Sequence, residues 1–375
     1  MTSRERYLES LLFGKPDRVS LMPGYPREST VAIWREQGLP EGVNYQTALM
    51  EILGIEPEPP RLPMNLDVSF KMIPQFEEKV LEHRNGHYVV QDWMGAITEI
   101  SDRFDYTYIR AAKDFVTRKW HKFPVQSRKD WENMAWRYDP KTPGRYPADL
   151  DARCEALKER DTPLILHFNG PFWQLREWVG MENLCMLMID DPDFVKEMID
   201  VWIRFVSATM APVLSRIRPD QVGFSEDMAY KGHSMISPQM VRRFLVPAYD
   251  RWVPEIRSGG CELIFMDSDG HIGELIPIWI EAGINCCGPA EVAAGNDIVE
   301  FRRVFGRKMA FTGGIDKRAM AKGGALMEAE VMRVVPHLFK EGGFIPGCDH
   351  GVPPDISWPD YVEFSRLLAG LSGWM

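Results

Sequence analysis

From about residue 160 to the C-terminus, short apolar runs alternate with longer segments of helical period, and no other feature restricts the fold as much. A strand buried on both faces reads as a continuous apolar run, and its covering helix carries an apolar stripe, so the alternation builds βα units around a parallel sheet. The runs fall at 163–168, 221–224, 262–266, 283–287, 308–312 and 344–347. Between them, 238–256 places Met240, Phe244, Leu245 and Ala248 on one face, and 326–339 has the same character.

Six strands leave two to be found if the sheet closes on itself. Segment 19–22, ended by Pro23-Gly24, supplies one, and 67–73 supplies another, which gives the eight parallel strands of a TIM (β/α)8 barrel. The region from 76 to 120 breaks the pattern. Asn85-Gly86 is a type I′ turn signal between 79–84 and 87–93, so a β-hairpin or meander inserted ahead of the main run is expected. Pro140, Pro143 and Pro147 amid charges make 124–160 a surface crossover with short helices. The chain therefore reads as one α/β domain over 1–375, with an insertion around 76–120.

Charge and cysteine usage remove several function classes. Lys and Arg number 44 against 54 Asp and Glu, for a net charge of −10 without a basic block, so a nucleic-acid partner is not expected. No apolar run approaches the roughly 20 residues of a membrane span. The N-terminus reads as a helix: Thr2 and Glu5 have capping-box spacing, and Tyr7, Leu8, Leu11 and Leu12 share a face until Gly14 and Pro16 stop it. A cytoplasmic setting without a membrane partner is expected. Cys154, Cys185, Cys261, Cys286, Cys287 and Cys348 lack paired CxxC spacing and read as reduced thiols.

In a barrel the chemistry sits on the loops after the strands, and polar residues collect there. Ser225-Glu226-Asp227 follows the second run, Asp267-Ser268-Asp269-Gly270-His271 the third, and Cys348-Asp349-His350-Gly351 the last. Asp267, Asp269, His271 and Cys348 together offer the carboxylate, imidazole and thiolate donors that zinc accepts. The other reading is that the aspartates cap a helix beginning near His271 and that Cys348 is a small buried residue. Glu226, Asp227 and His350 are the candidate catalytic acids, although an Asp after a strand is also a routine turn residue. His167 and Asn169 beside Trp173 offer a polar edge and an aromatic face to a flat ligand, or else a core strand entering a buried helix.

Gly313-Gly314-Ile315-Asp316-Lys317-Arg318 and Gly347-Cys348-Asp349-His350-Gly351-Val352-Pro353-Pro354-Asp355 resemble the uroporphyrinogen decarboxylase superfamily. Asn169-Gly170-Pro171-Phe172-Trp173 and Ser237-Pro238-Gln239, with Phe244 and Pro247, follow its landmarks in order. The resemblance covers nearly the whole chain and implies a TIM barrel with its pocket at the strand C-termini. The Gly-Gly-Ile-Asp and Gly-Cys-Asp-His forms are most similar to the branch of corrinoid-linked methyltransferases.

Departures matter as much. The decarboxylases hold their polyanionic tetrapyrrole with two closely spaced arginines, where this chain has Leu21-Met22-Pro23-Gly24-Tyr25-Pro26-Arg27. Ser69 stands at the family's aspartate, Trp178 falls near its tyrosine, and His350 matches its C-terminal histidine. The methyltransferases carry zinc on a His-x-Cys pair and a distant Cys, which align with Asp267-Ser268-Asp269 and Cys348.

The resemblance thus implies a methyltransferase that moves a methyl group between a small methylated substrate, such as a methoxylated compound, and a corrinoid on a partner protein. A zinc-type metal would polarise the heteroatom, Glu226 or His350 would deliver a proton, and Tyr25, Trp173 and Trp178 would add aromatic surface at the mouth. A homodimer is compatible with the sequence. Two other readings stand: decarboxylation of a small acid anchored by Arg27, with His350 or Glu226 as acid, and a non-catalytic barrel that binds a tetrapyrrole or corrinoid.

Overall fold

The computed structural model describes residues 1–56, 65–104 and 117–375. The insertion is a four-stranded antiparallel meander of β1 (Lys79–Arg84), β2 (His87–Gln91), β3 (Ile97–Ser101) and β4 (Arg118–Lys122), in that order across the sheet. Asn85 and Gly86 take φ values of 49° and 73° at the first turn, the two positive angles a type I′ hairpin requires.

All six apolar runs are strands: β5 (Ile165–Asn169), β6 (Gln221–Ser225), β9 (Leu263–Asp267), β10 (Cys286–Gly288), β11 (Ala310–Ile315) and β12 (Phe344–Cys348). A two-residue hairpin, β7 (Ala229–Tyr230) with β8 (His233–Ser234), interrupts them. The six form one parallel sheet in the order β12-β11-β10-β9-β6-β5. Alternate side chains divide between two cores. Val222, Phe224, Ile264, Met266 and Phe311 pack against the covering helices, whereas Leu263, Cys286, Ala310 and Ile345 meet Tyr7 and Leu11 of the first helix, Ser3–Leu11.

That helix carries the Thr2–Glu5 capping box read from the sequence, and it closes the sheet at the end where the strands begin. The Tyr7 hydroxyl donates to Oε1 of Gln221, the first residue of β6. Polar groups at the opposite, C-terminal ends are left to face cavities.

Among the described residues six of the eight expected parallel strands form one sheet. Segments 19–22 and 67–73 are not strands. The first runs beside the β12 edge through isolated contacts, with the Cys348 N–H donating to the Pro23 carbonyl at 3.0 Å and the Val352 N–H to that of Tyr25 at 2.9 Å. Pro23 and Pro26 have no N–H with which to continue a ladder. The second turns at Asp67, whose φ is 52°, and the Ser69 and Ile73 N–H groups bond to carbonyls of Arg145 and Arg137 in the crossover. The expected helix over 238–256 contains a π-helical stretch, Val241–Leu245, before Val246–Ser258. Near His271 the helix begins only at Ile276. Among the described residues no helix is long and apolar enough to cross a membrane.

Candidate functional site

Three neighbouring strands place a hydrogen-bonded row at their C-terminal ends. In register, His167 of β5 stands beside Gly223 of β6, and Ser225 of β6 stands beside Asp267 of β9. The His167 Nε2 lies 2.7 Å from the Ser225 Oγ, which lies 2.7 Å from the Asp267 Oδ2. Gly223 leaves the room this needs, because a Cβ there would sit 2.5 Å from the His167 Nδ1. His167 is open to water inside a cavity yet walled by protein, and this enclosure pushes its imidazole down to about 4. Burial, reinforced by the charges of Asp269 and Asp227, pushes the Asp267 carboxyl up to about 6.

The row stands between two cavities. The first, of about 440 Å³, is lined by His167, Asn169 and Trp173 with Phe70, Trp93 and Tyr138. The second, of about 400 Å³, is lined by Tyr25, Asp267, Asp269, Cys348 and His350 among glycine-rich strand ends. The His350 Nε2 lies 3.1 Å from the Asp269 Oδ2, and that hydrogen bond holds the imidazole above its ordinary range. Burial pushes the Cys348 thiol up to about 12, so it stands as a neutral thiol.

Several candidates from the sequence lie elsewhere. Glu226 is wholly buried and faces neither cavity. Its Oε2 accepts the N–H groups of Phe172 and Trp173 at 2.8 and 3.2 Å, and its Oε1 accepts the Tyr249 hydroxyl. It therefore anchors the N-terminus of the helix Pro171–Val179, away from the lining of both cavities. Asp227 is paired with Arg176, which donates to its carboxylate at 2.8 Å and to its carbonyl at 2.9 Å, and it lines neither cavity. Trp178 contributes to the first cavity's wall but is 1% exposed, with its indole N–H donating to the Tyr138 hydroxyl, so it acts as core. Arg27 occupies the N-cap position of the helix Glu28–Glu36 without a side-chain cap bond, and it also lines neither cavity.

The zinc set does not assemble. His271 lies apart, with its ring against Gly273 and Gly295. The Asp267 carboxylate is engaged by Ser225 and that of Asp269 by His350. Among the described residues no three His, Cys, Asp or Glu side chains gather as a metal-binding group, so the donors present do not fit a zinc ion as they stand.

Sequence reasoning passed over four residues that matter here. Ser225 could have been found from its two-residue spacing to Gly223, which puts it on the face that His167 occupies in the next strand. Lys71, Arg118 and Glu177 also line the first cavity, and in the sequence they look like ordinary surface charges.

The model of the uroporphyrinogen decarboxylase (URO-D) family matches residues 119–364. A methyltransferase from Methanosarcina mazei is similar in structure, with a TM-score of 0.57 and 16% identity over 100% of this chain and 99% of that one. A B12-independent methionine synthase from Shewanella sp. W3-18-1 scores 0.40 at 9% identity, covering 60% of this chain and 66% of its own. No curated protein matches.

Proposed function

The chain belongs to the uroporphyrinogen decarboxylase family, and from that membership we propose that it is a methyltransferase, taking a methyl group from a small methylated substrate in the first cavity and passing it to the reduced corrinoid of a partner protein docked over the mouth. The observation that carries this reading is the His167–Ser225–Asp267 row, which links the aromatic cavity to the one holding Asp269 and His350. Likeness to the Methanosarcina methyltransferase supports the fold on which it rests. In the same proposal, segments 19–22 and 67–73 occupy the places of two further barrel strands.

Breaking an O–CH₃ bond sends its electron pair onto oxygen, and that oxygen needs a proton to leave as an alcohol or phenol. The corrinoid supplies the electron pair that receives the methyl group. Each member of the row can donate or accept through a rotatable or tautomeric hydrogen. A protonated Asp267 passes its proton to Ser225, Ser225 passes its own to the His167 Nε2, and the ring releases the proton on Nδ1 towards the leaving oxygen. A carboxyl held near 6 and an imidazole kept neutral suit those two ends. No step is assigned to a metal.

The test is to mix the protein with a reduced corrinoid protein and a panel of methoxylated and methylated donors, following methyl-cobalt absorbance. Transfer from at least one donor, lost in Asp267→Asn, is the expected result. Absence of transfer across the panel removes the proposal.

A further inference from the structure

We propose that the first cavity is built for a planar aromatic ring bearing a carboxylate, with Lys71 and Arg118 as the anion anchor. This deepens the proposed methyl transfer by naming its substrate class, and it rests on that reading for the reaction but not for the binding.

The walls come first. Phe70 and Phe168 lie with ring centroids 4.9 Å apart, and Trp93, Trp173 and Tyr138 complete an aromatic lining around about 440 Å³. Such a volume suits a small ligand, and aromatic faces hold a flat ring by offset or edge contacts better than they hold a flexible chain.

The charges decide the rest. Lys71 and Arg118 come from different elements, the segment after residue 65 and strand β4, yet both line this cavity. The Lys71 Nζ stands 4.9 Å from the Trp93 ring centroid, and the Arg118 guanidinium 4.9 Å from that of Trp120. Neither has a carboxylate in ion-pair contact among the described residues, and the Arg118 Nη1 is buried with no hydrogen-bond partner. Glu177 is the one acidic side chain among the described residues lining this cavity, and its oxygens are already engaged. Its Oε1 accepts the Trp173 indole N–H at 2.8 Å, and its Oε2 accepts amide N–H groups of Asn169 and Gln174 at 3.4 Å each. Burial pushes Glu177 upward, away from its charged form, and depresses Arg118.

Asp92, buried beside the cavity, and Glu177 both attract the Arg118 charge, yet neither reaches ion-pair contact with it, so the Arg118 Nη1 keeps an unused donor. A half-buried guanidinium donor without an acceptor is costly, and an incoming carboxylate relieves that cost through charge-assisted hydrogen bonds. The two cations stand on the loop and the meander, and His167 stands on the sheet. A ring whose carboxylate meets the cations presents its far edge, and a methoxy group there, to His167. In the reaction the O–CH₃ bond breaks, the methyl group joins the cobalt of the reduced corrinoid with cobalt's electron pair, and the phenolate takes one proton through His167.

Isothermal titration calorimetry on the full chain tests the binding with 4-methoxybenzoate, the neutral 4-methoxybenzamide and the non-aromatic cyclohexanecarboxylate. The benzoate is expected to bind roughly tenfold or more tightly than either control, as one charge-assisted contact implies. Lys71→Met and Arg118→Met should each weaken the benzoate by roughly tenfold while leaving the benzamide within about twofold. Lys71 is exposed, so its variant keeps the test open should Arg118→Met misfold. Equal affinity for benzoate and benzamide, or benzoate binding indifferent to Lys71→Met, overturns the inference. Benzoate binding without methyl transfer to corrinoid supports this site and removes the proposed reaction, whereas transfer from neutral donors with no preference for acids keeps the reaction and removes this site.

Discussion

Glu226 and Ser225 are adjacent in sequence and opposite in role, because strand alternation turns one towards the helices and the other towards the cavities. Glu226 was legible as an acid but not as a buried one, since the sequence carries no mark of which acid a helix N-terminus will cover. Its burial has a measurable consequence. The carboxyl is raised from 4.5 to about 7, so between those values the folded chain keeps a proton that the unfolded chain has lost. Stability from this group is complete below about 4.5 and falls as pH climbs to about 7, by roughly 3 kcal/mol. Glu226→Gln keeps the shape and an acceptor for the Phe172 and Trp173 N–H groups without a titrating proton. The difference in melting temperature between variant and native protein should therefore grow in the variant's favour over that pH range, and parallel curves would refute the assignment. Ser225→Ala, by contrast, should leave melting nearly unchanged and cut methyl transfer by roughly a hundredfold, the scale of general acid catalysis. Ser225→Thr, which restores a hydroxyl, should recover much of the rate, and equal loss in both variants would mean that the hydroxyl carries no proton.

Elements buried on both faces were read well, and those that depend on tertiary partners were not. All six apolar runs became strands within a few residues of the expected bounds, because a continuous apolar stretch has few other places to go. Segments 19–22 and 67–73 have comparable hydrophobicity, but proline and a positive-φ aspartate deny them a continuous ladder. Asp267, Asp269, Cys348 and His350 were placed at one cavity by the same strand logic, whereas His271, two residues beyond Asp269 in the same loop, does not line it. The first helix offers a test at this scale. Leu11 is 1% exposed against the interior of the sheet, and Leu11→Ala should cost about 2–5 kcal/mol in urea denaturation. Since the helix closes the end opposite the cavities, benzoate affinity measured well below the new midpoint should stay within about twofold. A large loss of affinity would mean that the two ends of the sheet are coupled.

Across the whole molecule, stability and chemistry are unevenly distributed, and the cavity spans the boundary between them. Every residue of β6 and β12 is buried, whereas every residue of β1 is exposed. Amide hydrogen exchange should therefore release the meander first and the parallel sheet last, since exposed ladders open locally at low cost. The meander nevertheless supplies Trp93, Met94 and Arg118 to the first cavity, and the segment after residue 65 supplies Lys71, while His167 and Asn169 come from the sheet. A ligand that touches both sides must lower the free energy of the closed meander by its own binding energy. At a concentration of about a hundred times Kd this amounts to roughly 2.7 kcal/mol, or about a hundredfold slower exchange. Adding 4-methoxybenzoate should slow the amides of β2, β3 and β4 by that order, provided the opening exposes the cavity. In Lys71→Met the protection should shrink at the same ligand concentration, because the affinity falls and not because the meander is weaker without ligand. Exchange in β2 to β4 that ignores a bound ligand would show that the meander is a bystander and that the cavity wall lies elsewhere.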